Sequence, residues 1–144
     1  MNILKQCILM LAICVPTMSF AVGVVIPSCT VSATPLNFGI YWGTTTLTST
    51  ATVRVTCNLP ATTKVQMDSG LNSLNFTSRK MAFQQNTLNY NIYANAARSA
   101  VWGDGTAGTF TVTGSNLTMY ASVPSGQTPP PGTYNDTVVV TIIW

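Results

Sequence analysis

The most regular segment of the chain runs from Thr46 to Cys57, where Ala51, Val53 and Val55 alternate with Thr52, Arg54 and Thr56. A period of two places one face of a strand inward and leaves the other in water. Asn58-Leu59-Pro60 turns the chain, and Thr63 to Met67 begins another strand, with Val65 and Met67 on one face. Asp68-Ser69-Gly70 ends it, and Leu71 to Asn86 carries no clear period. Leu88, Tyr90 and Ile92 then alternate with Asn89, Asn91 and Tyr93. Thr109 to Thr113 and Leu117 to Val123 predict two short strands around Gly114-Ser115-Asn116. Thr30 to Phe38 alternates weakly before Gly39. Beyond the N-terminal stretch no long segment has a helical period, and Ala94 to Trp102 predicts at most a helical turn. There is no internal repeat and no linker, so these strands belong to one domain.

The last segment is different. After a Pro/Gly loop, Pro124 to Gly132, the chain runs from Tyr134 to Trp144. Val138, Val140, Ile142 and Trp144 share one face, while Val139 and Ile143 keep the other face apolar too. A strand apolar on both faces normally has neighbours on both sides. Strands at this spacing predict an immunoglobulin-like sandwich, which needs a seventh strand beside the last one. Only about six principal strands are present. The expected fold is therefore all-β, an incomplete immunoglobulin-like β-sandwich lacking its final strand, with that strand supplied from elsewhere.

The front of the chain changes the compartment. Lys5 precedes a compact apolar run from Cys7 to Val15, Pro16 breaks it, and Ser19-Phe20-Ala21 supplies small residues at a cleavage site. This is the layout of a secretory signal peptide over residues 1–21, cut after Ala21. The apolar core is about half the roughly 20 residues that a membrane-spanning helix needs. Lipidation at Cys14 or Cys29 fits less well, since Ile13 and Pro27 stand at positions that the lipoprotein pattern reserves for other residues. Cys29 and Cys57 remain in the exported part, and two cysteines in an oxidising compartment most simply form one disulfide. It would close a loop of roughly 29 residues, worth roughly 3 kcal/mol.

Composition removes most catalytic schemes. The chain has no histidine, so nucleophiles paired with histidine and His-ligated metals are excluded. Charged residues make up 6% and the net charge is +3, scattered along the chain, so there is no nucleic-acid footprint. Asp68, Asp104 and Asp136 each lie beside a turn and are expected to cap it. A glycosidase pair of Asp104 and Asp136 is the less favoured alternative. "GDGTAG" (Gly103 to Gly108) matches a dinucleotide-binding spacing, but a strand follows it where a helix is required, so it reads as a turn. The aromatics Tyr41, Trp42, Tyr90, Tyr93, Trp102, Tyr120 and Trp144 are expected in the core and its rims, with a sugar-binding surface as the alternative.

Four stretches carry a resemblance. "CTVSATPLNFGIY" (Cys29 to Tyr41), "VRVTC" (Val53 to Cys57), "RKMAFQQNTLNYNIYANAARSAVWGDG" (Arg79 to Gly105) and "GTYNDTVVVTIIW" stand in the order seen in spore coat protein U domains. The chain from Cys29 to Trp144 resembles that family, which includes subunits of archaic chaperone–usher pili, used for surface attachment and biofilm formation. The cleavage site and the resemblance together make residues 22–28 a short N-terminal extension and residues 29–144 the domain, and the absence of catalytic residues leads to the expectation of no enzymatic activity and no cofactor. The resemblance further implies that a periplasmic chaperone lends a strand beside the final one, and that an outer-membrane usher exchanges it for the extension of a neighbouring subunit. On that basis Leu36, Phe38, Val138, Val140, Ile142 and Trp144 line an acceptor groove, and Val22, Val24 and Ile26 face inward from a donor strand. The chain would then be exported through the periplasm to the cell surface. The alternative is a self-contained secreted carbohydrate-binding or coat module on the same fold.

Overall fold

Alternation becomes structure most plainly in Leu47–Cys57, the longest strand. Its inward Ala51, Val53 and Val55 are buried and its outward Thr52, Arg54 and Thr56 are exposed. In the computed structural model, which describes residues 23 and 25–144, this strand is β2 of eight. The others are β1 (Cys29–Ala33), β3 (Lys64–Met67), β4 (Arg79–Phe83), β5 (Asn86–Tyr93), β6 (Val112–Thr113), β7 (Asn116–Val123) and β8 (Val140–Ile143). A single 3-10 turn, Phe76–Ser78, precedes β4 and is capped by Asn75.

The strands form two sheets, one of five in the order β1-β2-β7-β5-β4 and one of three in the order β6-β3-β8. All the ladders are antiparallel. Their inner faces meet in a core of Val53, Val65, Met67, Ala121 and Val123, with Trp102 fully buried between them. The Trp102 indole N–H donates to the Val65 carbonyl at 3.0 Å, so the largest core side chain leaves no polar atom unpaired. This is the all-β sandwich that the strand pattern predicts. Cys29 and Cys57 face each other at the end of the β1–β2 ladder and are joined by a disulfide, which is incompatible with a lipid on Cys29.

The structure departs from the sequence pattern at several places, among them the strand expected over Thr109 to Thr113, which is reduced to Val112–Thr113. β4 arises in the stretch expected to be irregular, because its two buried positions are Arg79 and Met81, and a charged first residue hides the period. β1 stops at Ala33, short of Phe38, because Pro35 has no N–H for a ladder. The chain still follows β2 as far as Asn37, whose N–H bonds Ser49 Oγ at 3.2 Å. β8 begins at Val140, well after Tyr134, and the intervening residues bond elsewhere: Asn135 bridges Ala82 of β4, and the Thr137 carbonyl accepts from Leu71.

Candidate functional site

β8 carries the two-faced apolar pattern, yet it is an edge strand. It pairs with β3 on one side, and among the described residues no strand pairs on the other. β1, the edge of the five-stranded sheet, lies beside it. The two edges run along one seam of the sandwich and belong to different sheets, with no ladder between them among the described residues.

The ladder shows which groups face that seam. Asp68 donates its N–H to the Val139 carbonyl at 3.1 Å, which makes 139 a position whose backbone points toward β3. Antiparallel pairs alternate, so Thr141 and Ile143 also point toward β3, while Val140 and Ile142 turn their N–H and C=O groups to the free edge. The side chains of Val138, Val140 and Ile142 are half-buried and pack on the core, with Val140 opposite Met67 and Ile142 opposite Val65. From Val138 to Ile142 this surface spans about 13 Å at the usual rise per residue. Leu36 and Phe38 reach the same core from the other side of the seam, and the Phe38 ring meets Tyr90 edge-on at 6.1 Å. Trp144 lies past the end of β8, 55% exposed, and does not join the other five against the core.

Of the three residues assigned to a donor strand, Val22 and Val24 lie outside the described residues, as does the whole of 1–21. Ile26 is 75% exposed, and its carbonyl accepts from Asn58 Nδ2 at 3.2 Å. Asn58 also accepts the Ser28 N–H at 2.7 Å, so the extension leaves the domain tethered beside the disulfide.

A polar cluster under the seam was not legible as a site. Arg79 is fully buried, yet every guanidinium donor has an acceptor: Nε and Nη2 to the Asp68 carbonyl, Nη2 to the Trp102 carbonyl, and Nη1 to Asn91 Oδ1 and the Phe76 carbonyl. The clamp joins β4 and β5 of one sheet to the end of β3 in the other. Burial lowers the Arg79 pKa from its usual value, opposed by Tyr90, Asp68 and Asp136 nearby. The Tyr90 hydroxyl donates to Asp136 Oδ2 at 2.7 Å, and burial together with that bond pushes its pKa above the ordinary value near 10. Asp136 Oδ1 accepts from the Leu71 N–H and Asn72 Nδ2. Gly70, at φ +82°, passes so close to this carboxylate that a Cβ would collide with it. Asp68 and Asp104 cap turns as expected, through the Gly70 N–H and through Thr106, whose hydroxyl and amide hold the Asp104 carboxyl below its usual range. Asp136 instead bridges distant segments. Gly103 to Gly108 is a turn, as the following strand requires.

Tyr41, Tyr90 and Trp102 are buried and Tyr93 and Tyr120 half-buried. Trp42 is 72% exposed, at a shallow concavity with Gln127, Pro129 and Pro131. Among the described residues no group of three or more His, Cys, Asp or Glu is placed to hold a metal.

An antiparallel sandwich with one unclosed seam is the class of protein these observations define. Residues 16–141 match the Spore Coat Protein U domain, and the chain belongs to that family. It is 32% identical over 125 residues to Protein U of Myxococcus xanthus, covering 74% of this chain and 70% of that one. Its fold is similar to a chain in the crystal structure of the CsuC–CsuE chaperone-tip adhesion subunit pre-assembly complex from archaic chaperone-usher Csu pili of Acinetobacter baumannii. There the TM-score is 0.59 at 23% identity, over 83% of this chain, which spans 40% of the solved one.

Proposed function

We propose that this chain is a non-enzymatic structural subunit of a chaperone–usher surface fibre, completed by a strand from another polypeptide. The observation that carries the reading is the free edge of β8, with Val138, Val140 and Ile142 half-buried beneath it. A row of unpaired N–H and C=O groups beside apolar side chains is a template for strand addition, and left open it favours aggregation. Leu36, Phe38, Val138, Val140 and Ile142 form the floor and walls of the acceptor groove, and Trp144 stands at its exit, free to cover an arriving strand. A periplasmic chaperone fills the groove first, and an outer-membrane usher replaces it with the extension of a neighbouring subunit. Val22, Val24 and Ile26 are this chain's own donor residues, carried on the tether that Asn58 holds. Export through the periplasm to the cell surface follows from the same reading, as does a role in attachment.

The test is purification of the chain from a native host periplasm. The expected result is a stoichiometric complex with a chaperone, and an aggregating chain when the chaperone is deleted. A monodisperse monomer with a sharp thermal transition and no partner would contradict it. Carbohydrate binding by that monomer at Trp42 would then favour the self-contained module.

A further inference from the structure

The apolar run that ends the chain does not by itself say which face turns inward. Val139 and Ile143 are as apolar as Val138 and Ile142, so slipping by one residue would present Val139, Thr141 and Ile143 to the core instead. Something other than hydrophobic pattern must hold the register.

An uninterrupted ladder would join Asp68 and Val139 by two backbone bonds. Only one is made, from the Asp68 N–H to the Val139 carbonyl. The Asp68 carbonyl is occupied by Arg79, with Nε at 3.0 Å and Nη2 at 2.6 Å. The Val139 N–H turns instead to the Asp68 side chain, Oδ1, at 2.9 Å. Just beyond, the offset changes: Leu71 donates to the Thr137 carbonyl, one residue out of the register that pairs Met67 with Val140. Arg79 cannot swing away, because Asn91, Trp102 and Phe76 hold its remaining donors.

We propose that Arg79 and Asp68 form a register stop for β8. The guanidinium removes one ladder acceptor and the Asp68 carboxylate supplies its replacement one bond length further out. The ladder can then start only where Val140 meets Met67, which turns Val138, Val140 and Ile142 to the seam. This rests on the reading of the seam as a strand acceptor, and names the residues that decide which side chains the incoming strand meets.

Disulfide trapping reads the register directly in the full chain, expressed with its own leader in an oxidising bacterial periplasm. Gln66→Cys with Thr141→Cys reports the native register, in which those residues are paired, and Gln66→Cys with Ile142→Cys reports a slip. Yields are taken per molecule carrying the Cys29–Cys57 bond, so loss of folded protein does not mimic a slip. The expected result is the native cross-link in the otherwise unchanged chain and in Asp68→Asn, whose amide oxygen still accepts from Val139. Asp68→Ala should raise the slipped-to-native ratio about tenfold, the scale of one lost charge-assisted bond. Arg79→Lys, which releases the Asp68 carbonyl while keeping the charge, should raise it as well. An unchanged ratio in both Asp68→Ala and Arg79→Lys would overturn the proposal, as would an Asp68→Asn chain that slips as much as Asp68→Ala. The cross-link lies within one chain, so it reports the register whether or not any donor strand exists; failure of the fibre reading would show in the purification experiment and not here.

Discussion

Val140→Asp places a charge in the middle of the seam. Val140 is half-buried, opposite Met67, which is 1% exposed, and its backbone groups face the free edge. Before any strand arrives, an aspartate there reaches water across the open side and costs the lost contact of a half-buried valine, about 1 kcal/mol. Once a donor strand covers it, a carboxylate left unpaired there costs about 3–5 kcal/mol more. At 1.4 kcal/mol per tenfold, capture should weaken by at least about a hundredfold. The assay is retention of the chain on its chaperone in periplasmic extracts, with fibres counted by electron microscopy. Formation of the Cys29–Cys57 bond controls for folding. Thr113→Asp, exposed on β6 opposite Lys64, should be captured and assembled normally. If Val140→Asp remains chaperone-bound and polymerises, no strand covers Val140 and the open-seam reasoning is wrong.

Replacing Cys29 and Cys57 together by serine should cost about 3 kcal/mol of stability, measured by urea denaturation of the captured chain, because the bond closes a separation of 28 residues. Arg79→Ala should leave the carbonyls of Asp68, Trp102 and Phe76 without their buried donor and cost about 3–5 kcal/mol, seen as loss of folded chain from the periplasm. Tyr90→Phe should cost about 1–2 kcal/mol by removing the bond to Asp136. Because the folded Tyr90 has its pKa raised, its contribution is complete below about pH 10 and lost as the pH rises beyond that toward the folded value. Alkaline denaturation should therefore be shallower in Tyr90→Phe than in the unchanged chain.

What could be read from the residues follows from how each element signals itself. β2 and β7 alternate cleanly because their inward residues are apolar and their outward ones polar, and the structure keeps those faces; β5 does so only as far as Tyr90, because Asn91 is buried as an acceptor for Arg79. The disulfide follows from two cysteines in an exported segment, and the placement of Leu36, Phe38, Val138, Val140 and Ile142 on the core follows from alternation together with family resemblance. β4 was hidden because a buried arginine looks like a solvated one until its acceptors are known, and those are backbone carbonyls from distant segments that no local pattern shows. The same arginine delays β8 to Val140, so the strand's start could not be read from its own residues. Trp144 differs from the other five for a simpler reason: parity places it on the inward face, but the ladder ends at Ile143 and the side chain is 55% exposed.

The claim that the seam is filled by another chain is tested most directly by amide hydrogen exchange resolved to single residues along β8. In the chain alone, held dilute to prevent aggregation, Thr141 and Ile143 should be protected by β3 while Val140 and Ile142 exchange freely. In the chaperone complex and in the assembled fibre, Val140 and Ile142 should become as slow as Thr141. Protection of Val140 and Ile142 already present in the isolated chain, or absent from the fibre, would contradict it.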